Sequence, residues 1–349
     1  MFWETTTGCN LACRHCRRLE VSQALSRHDL STEEAEGLIE GIAAVGGGRP
    51  VLVFSGGEPL MRMDLFHLAA HAKARGLPVA LATNGTLIDA AMAARIVEAG
   101  FDRVAISLDG ADAPTHDAFR NQVGAFAKAL EGFHRLQRQG VSLQVNTTMT
   151  QHNLGQLESM DALIRSLVPD AWHLFMFVPV GCGLGIPPEQ QLIAWQYEQV
   201  LQWLAAKAQT EKPFIRATCA PQYFRILATQ HRLAQHRAAS HLSTLTKGCL
   251  AGTGICFVSH TGEVFPCGYL PLACGNVRTQ SFPEIWERSA ILNTLRDPDA
   301  LKGKCGGCEF RLVCSGCRAR AYATAAGDYL AEEPCCAYQP RLASLHPVA

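Results

Sequence analysis

Short runs of β-branched and apolar residues alternate with longer amphipathic stretches over the first half of the chain. Strand-like runs lie at Met1–Thr6, Val51–Phe54, Val79–Ala82, Val104–Ser107, Leu143–Thr147 and His173–Val178. Between them, apolar positions recur at helical spacing over about 31–45, 64–75, 88–99, 123–138 and 155–168. That period puts one face of each helix on a core. Ser31 with Glu34 offers a capping box for the first helix. Gly46–Gly48, Gly76, Gly100 and Gly140 follow four helix ends, where a left-handed residue closes the last turn. Six βα repeats of this kind predict an α/β fold built on a parallel sheet, curled or open.

The polar, glycine-rich segments all fall just after strands. TTTGC follows the first, SGGEP (Ser55–Pro59) the second and TNG (Thr83–Gly85) the third. SLDG (Ser107–Gly110), NTT and VPVG (Val178–Gly181) follow the fourth, fifth and sixth. Any one of them reads as an ordinary turn; together they are richer than turns require. In parallel βα architectures these loops share one face, and that face holds the active site. Residues 182–245 read as a bridge of helices, around 188–208 and 222–240, without strands. From Cys249 to about Gln339 periodicity fades and cysteines crowd. The expected organisation is a barrel over 1–181, a helical bridge over 182–245 and a small metal-organised domain over 246–349.

The chain has 349 residues, which fits about two domains at ~150 residues each. Lys+Arg and Asp+Glu are 31 each, so no bulk charge draws it to nucleic acid or an anionic membrane. Hydrophobic content of 48% excludes a disordered chain. No apolar run approaches the ~18 residues of a membrane span. MFWETTTGCN does not read as a signal peptide, so a soluble, cytoplasmic protein is expected.

The count that changes the picture is 15 cysteines. A disulfide frame fits poorly, because the chain is large, the count odd and no export signal is read. In a reducing compartment such clusters bind metal or iron–sulfur groups. The first group is Cys9-x3-Cys13-x2-Cys16, with no further cysteine until Cys182. Structural zinc wants four closed ligands. A [4Fe–4S] cluster on three thiolates leaves one iron open, which marks a reactive centre. The second group is Cys249-x6-Cys256-x10-Cys267, then Cys305-x2-Cys308-x5-Cys314-x2-Cys317, then Cys335 and Cys336. Residues 305–317 alone could make a zinc ribbon, but that leaves the flanking cysteines unexplained. Cys182, Cys219 and Cys274 read most simply as small buried hydrophobes, although Cys182 and Cys219 could line a substrate cavity.

Cys9-x3-Cys13-x2-Cys16 followed by Gly56-Gly57-Glu58-Pro59 resembles the radical S-adenosylmethionine (SAM) superfamily, over residues 5 to about 181. The resemblance implies a partial (β/α)6 TIM-like barrel whose three cysteines hold a [4Fe–4S] cluster. It implies that SAM chelates the open iron and is cleaved to a 5′-deoxyadenosyl radical that abstracts hydrogen. It places Gly56, Gly57, Glu58 and Pro59 at the SAM amino group, with Glu58 as acceptor. Asn84, Ser107 and Asp109 fall at the ribose, and Arg120 at the carboxylate, for which a guanidinium is the natural partner. His15 stands where that family often has a larger aromatic residue. The C-terminal array resembles the SPASM extension, which implies two auxiliary [4Fe–4S] clusters and three in all. Cys249, Cys256, Cys267 and Cys317 would share one; Cys305, Cys308, Cys314 and Cys336, favoured over Cys335, the other. Two residues rather than the usual three precede Cys317 after Cys314.

Radical SAM enzymes of this branch act on ribosomal peptides, small metabolites or tetrapyrroles. Eight residues precede Cys9, too few for a peptide-grasping domain there, which tilts the expectation from peptides. ATCAPQYFRI (Ala217–Ile226), KGCLAGTGICFVSHTGEVFPCGYLP (Lys247–Pro271) and CSGCRARAYATAAGDYLAEEP (Cys314–Pro334) resemble the radical SAM family of the siroheme-dependent heme pathway. The likeness is greatest to its heme synthases, which oxidatively decarboxylate two propionates of iron-coproporphyrin III to vinyls. The alternatives are a deacetylase or heme d1 type of tetrapyrrole enzyme, or a peptide-modifying one. The resemblance also implies an external electron donor such as flavodoxin or ferredoxin. A substrate with four carboxylates calls for cations. Arg216, Arg225, Arg232, Arg237, Arg318 and Arg320 are candidates, and two of them are expected to serve. His231, His236 and His241 recur every five residues, which puts them on different helix faces, so none is assigned to iron.

Overall fold

The structure is a computed structural model that describes residues 1–18, 26–45, 50–208, 212–231 and 247–341. Seven parallel strands follow one another in chain order: β1 (Phe2–Glu4), β2 (Leu52–Ser55), β3 (Val79–Thr83), β4 (Arg103–Ser107), β5 (Leu143–Met149), β6 (Ala171–Met176) and β7 (Phe214–Thr218). The helices packed around them are α1 (Thr32–Ala43), α2 (Leu65–Ala74), α3 (Ala90–Glu98), α4 (Ala113–Arg120), α5 (Ala125–Arg138), α6 (Gln151–Leu154), α7 (Leu157–Leu167), α8 (Ala194–Lys207) and α9 (Gln222–Thr229).

Alternation along the strands sets two faces. On β6, Trp172, Leu174 and Met176 bury against the helices, and Trp172 meets Trp203 of α8 edge to face at 6.2 Å. His173 and Phe175 take the opposite face, as do Gln144 and Asn146 on β5 and Arg216 on β7, by the two-residue period. The barrel therefore has an apolar outside and a polar interior. Ser31 forms the expected capping box with Glu34. Gly76, Gly100 and Gly140 take positive φ after their helices, and Gly46–Gly48 lie outside the described residues.

Two features differ from expectation. The bridge contains a strand: β7 pairs in parallel with β6 from Ala171↔Phe214 to Phe175↔Thr218. The charged Arg216 interrupts its apolar pattern in sequence, because that side chain faces the interior. The C-terminal region is also joined to the barrel sheet. β8 (Phe257–Val258) pairs in parallel with β1, and β9 (Glu263–Phe265) and β10 (Gly275–Asn276) extend the sheet to ten strands. Glu4 at the end of β1 fastens this joint through Arg17 (2.9 Å) and His260 (3.0 Å). Burial opposes its charge, but those two partners draw the Glu4 carboxyl down to about 2. No helix among the described residues is long and apolar enough to cross a membrane.

Candidate active site

The loops after β1 and β2 lock together through bare backbone. The Gly57 amide donates to the Thr6 carbonyl and the Glu58 amide to that of Gly8, each at 2.8 Å. A Cβ on Gly57 would lie 2.1 Å from the Gly8 oxygen, and Gly56 holds φ at +141° against Thr6. Only glycine allows that approach. The loop after β6 closes from the other side, where a Cβ on Gly181 would lie 2.1 Å from the Arg17 carbonyl oxygen. Three loops thus clamp the segment that carries Cys9, Cys13 and Cys16.

The three thiols share one neighbourhood, Cys9 with Cys13 and Cys13 with Cys16. Donors surround them. The Leu11 amide donates to Cys9 Sγ at 3.4 Å, Arg120 Nη1 to Cys13 Sγ at 3.7 Å, and Arg18 bonds Cys16. Burial pushes the Cys9 thiol up to about 11, so it releases its proton only to a partner that holds the thiolate. Cys182 comes to the edge of the group beside Cys16. His15 stacks on Phe119 with ring centroids 4.1 Å apart. It is a flat ring held neutral, since burial first of all lowers it to about 4.

Glu58 is fully buried and faces inward. It accepts from the Leu60 amide (3.2 Å), the Thr83 hydroxyl (2.7 Å) and the Asn84 amide (2.8 Å). Burial raises it to about 7 despite those donors. Glu58 thus braces the loops after β2 and β3, and its Oε2, which accepts a single bond, leaves room for the ligand amine that the resemblance implies. Asn84 extends the brace by donating to Asn10 Oδ1 at 2.8 Å. Ser107 ends β4 on the interior face. Asp109, wholly buried, pairs with Arg120 at 2.6 Å and accepts from the Thr148 amide at 2.7 Å. Burial opposes both charges, yet each holds the other ionised. Arg120 Nε remains buried without an acceptor. A carboxylate beside Cys13 would satisfy it, so these residues fit SAM.

The C-terminal cysteines form two further groups. Cys305, Cys308, Cys314 and Cys336 line one open pocket, together with Lys304 and Arg225. Four soft thiols around one space fit a [4Fe–4S] cluster. Cys335 turns away, toward Tyr197 and Arg320. Cys249, Cys267 and Cys317 come together, and Cys219 joins them. Cys256 does not: its Sγ lies 2.9 Å from the Met1 Sδ. Among the described residues, no three His, Cys, Asp or Glu side chains converge on a single metal ion.

Of the candidate arginines, Arg225 pairs with Glu198 and covers the Tyr338 ring. Arg318 donates to the carbonyls of Tyr329 and Ala331, and Arg320 pairs with Glu333 at 2.9 Å. All three are structural. Arg232, Arg237, His236 and His241 lie outside the described residues. Among the described residues, Arg216 is the one of these candidates whose half-buried guanidinium has no hydrogen bond or ion pair. Two arginines were expected to serve; Arg216 is the candidate left without a partner among the described residues. Sequence reasoning also missed Arg18, which the neighbouring Cys16 could have flagged, and it placed Cys219 at a substrate cavity or in the core rather than beside Cys267 and Cys317.

The radical SAM superfamily domain matches residues 3–164, and the SPASM iron–sulfur cluster-binding domain matches residues 249–309. The chain is 45% identical to the AdoMet-dependent heme synthase of Methanosarcina barkeri, over 97% of this chain and 96% of that protein. It is 44% identical to the one of Nitratidesulfovibrio vulgaris, over 97% and 92%. An Fe-coproporphyrin III synthase of Methanosarcina barkeri is 32% identical over 96% and 86%. Among solved structures, Streptococcus suis SuiB bound to its precursor peptide SuiA superposes with a TM-score of 0.73 at 13% identity, over 96% of this chain and 75% of that one. Native anSMEcpe with bound AdoMet gives 0.68 at 20%, over 91% and 88%. These two share the fold. SAM and a [4Fe–4S] cluster are therefore this chain's cofactors, with iron–sulfur binding in the C-terminal domain as well. The chain belongs to the radical SAM superfamily, in its SPASM-bearing branch.

Proposed function

We propose that the protein is a heme synthase that converts two propionates of iron-coproporphyrin III to vinyls. Each conversion takes one hydrogen atom, one CO2 and one electron from the side chain. Full-length similarity to AdoMet-dependent heme synthases supports the reading. The structural observation that carries it is Arg216. A half-buried guanidinium on the barrel's interior face without an anion is unfavourable, and a substrate carboxylate offsets that cost.

The chain's own residues divide the work. Cys9, Cys13 and Cys16 hold the cluster that, when bound, supplies the electron for SAM cleavage. Arg120 receives the SAM carboxylate through its free Nε, kept in place by Asp109. Gly56, Gly57 and Pro59 shape the edge beside it, and Asn84 and Ser107 border the same mouth. Cys305, Cys308, Cys314 and Cys336 hold one auxiliary cluster. We assign the protein to the cytoplasm, with a flavodoxin or ferredoxin as reductant.

The test is anaerobic incubation with SAM, a reductant and iron-coproporphyrin III, followed by mass spectrometry. Two successive losses of CO2 plus two hydrogens are expected. An untouched porphyrin, with SAM still cleaved, would remove the substrate while leaving the superfamily chemistry in place. Turnover of an acetate-bearing tetrapyrrole, with iron-coproporphyrin III left untouched, would point to the deacetylase type.

A further inference from the structure

The SPASM resemblance pairs Cys256 with Cys249, Cys267 and Cys317. The fold separates them. Cys256 sits at the start of the β8 hairpin, where its carbonyl accepts from the Phe2 amide at 3.0 Å. Its side chain enters the main barrel core against Met1. The one thiol in its reach is Cys274.

Cys219 occupies the space Cys256 leaves. It follows β7 directly. Its thiol packs with Cys267 and Cys317 in one small cluster that also holds Val178, Leu270 and Ala319. Cys249 lies within electrostatic reach of all three. Two more observations concern backbone. Cys219 takes a left-handed φ of 55°, a conformation that costs a non-glycine residue on the order of 1 kcal/mol and persists where surroundings enforce it. The enforcing group is Arg320, whose Nη2 donates to the Cys219 carbonyl at 2.8 Å. Arg320 is held by Glu333, and Glu333 accepts from the Cys317 amide at 2.5 Å. One buried ion pair thus sets the backbone at two of the four cysteines.

We propose that Cys219 is the fourth thiolate of the first auxiliary cluster, with Cys249, Cys267 and Cys317, and that Cys256 is a core thiol. The ligand set then draws on the barrel as well as the C-terminal domain, so the cluster bridges the end of β7 to the SPASM region. Four thiolates close the cubane and leave it no free corner. This rests on the C-terminal cysteines binding clusters, and not on the identity of the substrate.

Cys219→Ala and Cys256→Ala decide it, each reconstituted anaerobically beside the parent. Iron, sulfide and the reduced EPR spectrum are measured. The parent should hold about twelve irons, three clusters of four. Cys219→Ala should lose about four of them, or keep that cluster as a three-iron form with its own EPR signal. Cys256→Ala should retain the parent count and spectrum. Cys219→Ser controls for misfolding: a weaker oxygen ligand should keep the iron but shift that one EPR signal. A Cys219→Ala protein with unchanged iron and EPR overturns the proposal, and so does a Cys256→Ala protein that has lost a cluster. A parent with no auxiliary iron would count against the cluster assignment itself, whatever the variants do.

Discussion

Arg216 and His173 are register partners on two neighbouring parallel strands, and both face the barrel interior. The pair is cationic at one member and strictly neutral at the other. Burial holds the His173 ring down at about 3, helped by Arg216 and Arg103. Burial also lowers Arg216, to about 10, without discharging it at neutral pH. The interior therefore presents the positive charge of Arg216, with no acidic partner among the described residues, flanked by the uncharged hydrogen-bonding groups of His173 and Gln144.

Arg216→Gln should weaken binding of iron-coproporphyrin III by roughly ten- to hundredfold, the worth of a charge-assisted hydrogen bond. Arg216→Lys should recover part of it, since the charge stays but the bidentate geometry goes. SAM binding should not change, because Arg120 is a separate site. Porphyrin titration by absorbance measures the first, and SAM equilibrium binding the second. Equal porphyrin affinity in parent and Arg216→Gln would remove Arg216 from the substrate site.

His173 predicts an acid-sensitive fold. Its Nδ1 lies 3.1 Å from Gln144 Nε2, which also donates to Asn146 Oδ1. A proton on Nδ1 would meet an N–H group. The unfolded ring takes its proton near 6.5 and the folded ring near 3. Between those values the unfolded state binds more protons, so stability rises with pH and falls on acidification. His173→Gln cannot titrate. Its urea midpoint should drop less between pH 7 and pH 5 than the parent's, and an identical drop in both would dismiss the ring as the cause.

Much of this was legible in sequence. The six strand runs and the loops after them follow from period-2 patterning and glycine placement, and β1 to β6 lie at those runs. Cysteine spacing marked the clusters because thiols so close in a chain have few other uses. What was hidden depends on three dimensions. Arg216 breaks the apolar rhythm of β7 for the same reason that it matters, its aim into the barrel. Glu58 carried a ligand-facing expectation from the resemblance, and the fold adds what the sequence hides, that its carboxylate also accepts from donors 25 and 26 residues away. Cys219, 30 residues before Cys249 in the chain, has no spacing signal at all; only the curl of the sheet brings it in.

Gly57→Ala tests the clamp on the radical-cluster loop. The new methyl would meet the backbone oxygens of Gly8 at 2.1 Å and Thr7 at 2.7 Å. Backbone on both sides leaves no soft side chain to yield, and overpacking of this kind costs about 1–3 kcal/mol. The loop next to Cys9 should be forced open. Reconstituted protein should lose about four irons and its SAM binding, and keep its auxiliary clusters. Retained iron with tight SAM binding would mean the loops separate freely.

Arg320 and Glu333 make a buried pair whose loss reaches beyond its own charge. Arg320→Ala leaves the buried Glu333 carboxyl without its partner, a change that costs roughly 3–5 kcal/mol. It also frees the carbonyls of Phe177 and Cys219, which Arg320 now holds at 3.3 and 2.8 Å. Glu333→Gln is milder, because its amide oxygen still accepts from the Cys317 backbone. Removing both charges, as Arg320→Ala with Glu333→Gln, should destabilise less than the two single changes added together, since neither charge is then stranded. Anaerobic urea unfolding of the four cluster-loaded proteins gives the coupling. If the double change costs as much as the sum, the pair contributes no more than two independent side chains, and the backbone at Cys219 and Cys317 must be held by something else.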